Sequence, residues 1–237
     1  MLLTVAALLA TTPLPIPLRV DAPAVHAGDT WRYKNTLEAQ GRFGETHDEV
    51  SVVRLQGDAI LLRTKQVDST LQPSEVLVGS DWSRFRSVNG QERVVNRPFA
   101  FPLTPDKQWT VDFTEANPNR DRASEHVVSA YRVVGAERVT VPAGTFDAIK
   151  IEATGTWTAD IAPAVGGSIV ARADDAGMVM TNRIDRRAAG AATGRLYKAF
   201  WYVPAVKRAV KVVEESYSST GTRSESRTSE LEAFTPG

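Results

Sequence analysis

The sequence predicts an all-β fold: a curved antiparallel meander, half-barrel or barrel, with little helix. Three observations lead there. From Ala27 onward apolar residues recur with period two, the spacing of a half-buried strand, rather than 3.6. About ten such runs follow one another at short intervals, and nearly every junction carries a turn signal. No amphipathic helix interrupts them, because the alanine-rich stretch 184–195 is broken by Gly190 and Gly194, each costing ~1 kcal/mol against alanine in a helix interior. A long open meander would leave flat edges that invite aggregation, so the sheet is expected to curl or close.

The elements follow in order. The first strand opens at Trp31-Arg32-Tyr33, after the turn-like Gly28-Asp29. Residues 49–55 and 59–65 flank Gly57-Asp58 and read as a hairpin. Residues 81–88 and 91–95 flank Asn89-Gly90, the strongest short-range hairpin signal, since both turn positions take φ > 0. A strand over 108–114 gives way to a polar loop over 115–122. Residues 125–135 and 138–141 are strand-like, and 145–160 make one long strand. Residues 163–168 read as a flexible loop and 174–177 as a turn. A strand over 194–203 precedes a closing pair over 206–218 and 222–234.

Val141-Pro142-Ala143-Gly144 is the structural turn before the long strand. Proline presets φ for the second position of a type I turn, and glycine suits the left-handed position after it. The expectation is that Gly144 forms a bulge as the chain re-enters the sheet. Ile149, Ile151, Ala153, Gly155 and Trp157 then share one face, and Lys150, Glu152, Thr154 and Thr156 the other. Before the turn, Tyr131, Val133, Val139 and Val141 share a parity. Phe146 falls with the polar set, and a bulge beside it would re-aim its side chain.

Three motifs carry a resemblance. They are Gly28-Asp29-Thr30-Trp31-Arg32-Tyr33, Val141-Pro142-Ala143-Gly144-Thr145-Phe146-Asp147-Ala148, and Phe200-Trp201-Tyr202-Val203-Pro204-Ala205-Val206-Lys207-Arg208-Ala209-Val210-Lys211. Together they resemble a family of exported bacterial proteins of unassigned function. That family pairs V-P-A-G-T-F-x-A with a later W-Y-x-P and commonly begins with G-D-x-W-x-Y. The resemblance spans roughly residues 28–213. Some relatives carry a glycine after the W-Y-x-P proline, where this chain has Ala205 and Lys207. The resemblance implies a periplasmic β-protein, related in shape to the lipoprotein-carrier half-barrels, and it implies no known reaction.

At 237 residues the chain is long enough for one sizeable core. Residues 28–237 are expected to form a single antiparallel β-domain, since no linker divides them. Residues 1–27 are expected to be a signal peptide or disordered leader. Residues 1–10 make a short apolar run, far below the ~20 residues of a spanning helix, and the small-residue contexts Ala22-Pro23-Ala24 and Val25-His26-Ala27 follow. The expected location is periplasmic or secreted, with no transmembrane segment. A formal net charge of +0 leaves no electrostatic footprint for nucleic acid. The absence of cysteine excludes thiol catalysis, disulfides and thiolate metal sites.

The chemistry-bearing residues are sparse. His47 lies within Glu45-Thr46-His47-Asp48-Glu49, but in an extended chain only Glu45 and Glu49 share its face, a poor arrangement for one ion, and a solvated loop is the plainer reading. No metal site and no cofactor is expected. His126 follows Glu125 at a strand start, and no G-x-S-x-G elbow accompanies it. The carboxylate pairs Glu214-Glu215 and Asp174-Asp175 point to opposite faces if extended, so neither makes a glycosidase pair. No catalytic residue is assigned, and the protein reads as a non-enzyme.

The aromatic residues are the better candidates. Trp31, Tyr33, Trp109, Trp157, Phe200, Trp201 and Tyr202 would line a concave face able to hold a lipid or acyl chain, although a β core uses the same residues. Lys207, Arg208 and Lys211 would form a solvated rim. The expected function is a cell-envelope protein that binds an apolar ligand in that concavity, with a lipid, a lipoprotein or an envelope protein as partner. The alternatives are a structural or protein-interaction module with a solid core, and a hydrolase.

Overall fold

Gly57-Asp58, Asn89-Gly90 and Pro142-Ala143 each close a hairpin between neighbouring strands. The computed structural model describes residues 19–39, 41–119, 122–162, 164–174, 177–187 and 189–237. The strands are β1 (Thr30–Ala39), β2 (Arg42–Gln56), β3 (Ala59–Gln66), β4 (Ser74–Gly79), β5 (Arg84–Val88), β6 (Gln91–Asn96) and β7 (Gln108–Asn119). They continue as β8 (Arg122–Val141), β9 (Gly144–Ile161), β10 (Ala164–Asp174), β11 (Gly177–Arg187), β12 (Gly190–Val203), β13 (Arg208–Ser218) and β14 (Arg223–Thr235). A single 3₁₀ turn, Pro204–Val206, is the helical structure among the described residues. None of it is long and apolar enough to cross a membrane.

Twelve strands form one antiparallel sheet in the order β6-β5-β4-β3-β2-β1-β14-β13-β12-β9-β8-β7. The sheet curls into a nearly closed barrel, with the first and last strands, β1 and β14, paired in its middle. Asn89 and Gly90 both take positive φ, 52° and 77°, between the paired Val88 and Gln91, as their turn type demands. The same residue closes the barrel seam. Asn89 Nδ2 donates to the Thr114 carbonyl at 2.9 Å, and the Ala116 N–H donates to Asn89 Oδ1 at 2.8 Å, tying the β5–β6 turn to β7.

Several boundaries differ from the sequence reading. Residues 115–119, expected in a loop, continue β7, and residues 122–141 are one strand rather than two. β8 passes Gly135 by a register irregularity between Val133 and Gly135. The bulge expected at Gly144 is therefore on the partner strand. Val141 pairs directly with Gly144, so Pro142 and Ala143 are the two turn residues. Gly144 still takes φ +133°, where a side chain is strained. Phe146 packs on the core and Ala148 is buried, whereas Ile149, Ile151 and Ala153 face in with the opposite parity. Residues 45–49 lie within β2 rather than a solvated loop, and β4 was not expected.

Residues 164–168, expected in a flexible loop, belong to β10, which pairs with β11; Pro163 lies outside the described residues. The ladder of β9 with β12 runs from Ile149↔Tyr202 to Ile161↔Gly190. That of β10 with β11 resumes at Ala164↔Arg187 and ends at Asp174↔Gly177. Each step outward on one strand is matched by one step back on the other, so the two ladders share one register.

The segment joining β6 to β7 carries the packing at one end of the barrel. Phe99 and Phe101 lie 4.9 and 5.3 Å from the Tyr202 ring. Lys107 Nζ donates to the carbonyls of Ala100 and Pro102, which folds the segment on itself. Val20 exchanges backbone hydrogen bonds with Leu103, and Val25 is buried in the core. Residues at the edge of the expected leader thus touch the barrel.

Two predictions follow from these placements. A Cβ at Gly194 would sit 2.5 Å from Trp157 Nε1 and closer still to the Tyr217 carbonyl oxygen, whereas one at Gly190 would meet nothing. Gly194→Ala is expected to cost about 1–3 kcal/mol and Gly190→Ala far less, as read by denaturant melts. Asn89→Gly keeps the turn but removes both seam bonds. It is expected to cost about 1–2 kcal/mol and to speed hydrogen exchange at the Ala116 amide.

Candidate functional site

The inward positions of β1 to β4 and of β12 to β14 do not fill the barrel completely. They enclose a cavity of about 270 Å³. Alternation along each strand decides which residues reach it: Tyr33 and Asn35 from β1, Asp48 and Val50 from β2, Leu62 and Thr64 from β3, Val76 and Val78 from β4. Ser229 stands beside Asn35 as its cross-strand partner, Phe200 and Val212 carry the lining onto β12 and β13, and Phe99 of the β6–β7 segment closes one end. Val76 and Arg84 are the exposed members of the lining and mark its mouth.

One wall is polar and internally bonded. Ser229 Oγ donates to Asn35 Oδ1 at 2.6 Å, and Asn35 Nδ2 donates to Asp48 Oδ2 at 2.9 Å. Burial holds the Asp48 carboxyl above its ordinary range, against a smaller opposing effect of His47. Glu214, also on the cavity, is ion-paired with Lys198 at 3.0 Å.

Arg208 is the main departure from the sequence reading. It is not on a solvated rim. Its guanidinium lies 4.8 Å from the Trp82 ring centre, 5.0 Å from Trp31 and 5.5 Å from Tyr33, and the side chain lines the cavity. The local backbone explains the turn inward. After Pro204–Val206 the chain passes Lys207 in the left-handed region, φ 65°, and β13 then carries a register irregularity opposite Trp201 and Tyr202. Burial works against the Arg208 charge, Tyr33 favours it and Arg84 opposes it, yet an arginine keeps its proton at any physiological pH. Trp82 reaches this cage from a backbone φ of 63°, a conformation a bulky residue rarely adopts and one that costs of order 1 kcal/mol.

The other expected residues are dispersed. Of the seven aromatic candidates, Tyr33 and Phe200 line the cavity. Trp31 is fully buried beside it, donating to the Val206 carbonyl at 2.7 Å, and the Tyr33 hydroxyl donates to the Ala209 carbonyl at 2.7 Å. Tyr202 is fully buried against Phe99 and Phe101. Trp201 lies on the other face of β12, its ring covered by Lys150 at 5.3 Å and Lys211 at 5.9 Å. Lys211 also pairs with Glu230 at 2.8 Å. Trp109 stacks on Tyr131 at 5.4 Å, and Trp157 lies under Arg122 at 4.5 Å, both away from the cavity. Trp82, Arg84 and Phe99 were not assigned to a site from sequence. A tryptophan in a Gly79–Ser83 turn gives no periodic signal, and Phe99 sits outside any strand.

The histidines are engaged separately. His47 Nδ1 lies 2.9 Å from Glu232 Oε1 and its Nε2 3.6 Å from Glu45, the face-sharing acid that period two predicts. His126 Nε2 lies 2.8 Å from Asp112 Oδ1. Among the described residues no group of three or more His, Asp or Glu is placed to hold a metal ion.

Lys207 and Asp29 tie the segments before β1 and after β14 to the barrel. Lys207 Nζ lies 2.7 Å from the fully buried carboxylate of Asp29, which also accepts the backbone N–H groups of His26 and Gly237 at 2.8 and 2.9 Å. Burial alone would raise the Asp29 carboxyl; the Lys207 ammonium and the two N–H groups outweigh it and hold it below its ordinary value.

No family model matches the chain, and no curated protein matches it. Two solved structures are similar to it. One is a proposed lipoprotein from Parabacteroides distasonis ATCC 8503, 14% identical, with a TM-score of 0.45, covering 91% of this chain and 99% of that one. The other is a proposed exported protein with a YmcC-like fold from Bacteroides fragilis NCTC 9343, 13% identical, with a TM-score of 0.44 and the same coverage.

Asp29→Asn leaves the Lys207 ammonium without its counter-charge and is expected to cost about 3 kcal/mol at pH 7. Because the Asp29 pKa is depressed in the folded state, its contribution is complete above about pH 4 and is lost as pH falls through the folded pKa. Urea melts of both proteins across pH 2–7 should show the difference shrinking in that acid window; a difference constant with pH would contradict the assignment.

Proposed function

We propose that this protein is a non-enzymatic cell-envelope protein that binds a single-chain apolar or amphiphilic ligand inside its barrel. The observation that carries the reading is the cavity itself: Val50, Leu62, Val76, Val78, Phe99, Phe200 and Val212 frame about 270 Å³ of space. It suits one short chain and is too small for the several chains of a lipoprotein anchor. The apolar run at residues 1–10 and the small residues after it support export, with periplasmic or secreted location as the reading.

A solid-core interaction module is the second reading. It is favoured by Trp31 and Tyr202, both fully buried and packed on other rings rather than on open space.

Displacement of a fluorescent fatty acid, together with native mass spectrometry of protein purified without detergent, separates the two. The expected outcome is saturable displacement by single-chain amphiphiles. Val50→Phe, which projects into the cavity, should weaken it at least tenfold while thermal stability holds. A protein that is always empty and displaces no probe is the solid-core module instead.

A further inference from the structure

We infer that the ligand of this cavity carries an anionic oxygen head group, a carboxylate or a phosphate monoester, which Arg208 receives with Trp82 and Arg84 beside it. The inference rests on the reading that the cavity is a ligand site, and it names the chemistry that site selects.

Arg208 is a cation whose compensation is incomplete. Several arginines of the sheet pair with carboxylates: Arg32 with Glu232, Arg63 with Glu75, Arg86 with Glu115, Arg138 with Asp147, Arg223 with Glu215. Among the described residues Arg208 has no such pair, and its Nη1 is sealed from solvent with no acceptor in reach. The rings of Trp31, Tyr33 and Trp82 attract its charge through their faces. Cation–π contact uses the face of the guanidinium and leaves its in-plane Nη1–H donors free to take an acceptor. Leaving a buried charge without acceptors is costly.

The acids nearby are committed elsewhere. Asp48 accepts from Asn35, and Glu214 is paired with Lys198. An oxygen from outside the chain would complete the partners of Arg208 Nη1. A second donor waits for it: the Trp82 Nε1–H is buried without an acceptor, on a ring that also lines the cavity. Arg84 brings a further positive charge to the mouth. A planar fork of donors matches the two oxygens of a carboxylate or phosphate, and the apolar lining beyond it takes the chain.

Calorimetric titration with octanoate, octyl phosphate and 1-octanol tests this. The full chain is expected to bind at least one of the two anions at least tenfold more tightly than the alcohol, as a charge-assisted hydrogen bond requires. The tighter anion identifies the head group. Arg208→Met should bind all three with the affinity the native protein shows for octanol. Arg84→Gln, at an exposed position, should lose about threefold of the preference and remain folded, so the test does not depend on the core variant. Equal binding of the alcohol and both anions by the native protein overturns the head-group inference and leaves the apolar-ligand reading standing. Binding of none of the three overturns both.

Discussion

A sheet must do something with its two outer strands, because their unpaired N–H and C=O groups are a template for aggregation. Here the outer strands are β6 and β7, consecutive in the chain and brought side by side by the curl of the other ten. They do not form a ladder with each other. The Asn89 side chain spans to β7 from the adjoining turn, and the eleven residues from Arg97 to Lys107 fold across the barrel end. That segment supplies Phe99, which closes one end of the cavity and packs on Phe200 and Tyr202. Hiding the edge and shaping the interior are therefore the same structural act.

The interior divides into two regimes. Around Tyr202, Phe101 and Leu103 the rings and aliphatic chains pack together, with the Phe101 and Tyr202 rings 5.3 Å apart. Around Arg208 a charge, a bonded polar wall and an indole N–H share space with apolar side chains. Polar groups of this kind are expensive to bury, and a protein built only for stability would replace them with methyl groups. Together with the apolar side chains they give the cavity a lining of mixed chemistry.

Much of the fold was legible from local signals. Asn89-Gly90 and Gly57-Asp58 act at short range, and each closes its hairpin where the sequence placed it. Period two carried β1, β9, β12 and the closing pair for the same reason. β4 was missed because Ser74–Gly79 is short and follows Pro73, which masks a strand start. The β10–β11 ladder was missed because glycines suggested a loop, whereas register inherited from β9 and β12 carries the pairing onward. Arg208 was misplaced for a subtler reason. Between Lys207 and Lys211 it reads as part of a basic rim, and the left-handed residue and the irregularity in β13 that turn it inward leave no mark on side-chain periodicity.

The shared register of β9 with β12 and of β10 with β11 has a consequence for how this molecule can vary. A one-residue change on one strand would flip every side chain beyond it to the other face. Residues removed or added as opposed pairs, such as Ala164 with Arg187, leave the register of the barrel untouched. β8 and β13 do not pair with the ribbon past Ile161 and Gly190, so its length is not set by neighbours among the described residues. The twelve-stranded sheet fixes where this ribbon leaves and returns, and its extent is a quantity that evolution or an engineer can dial in whole rungs.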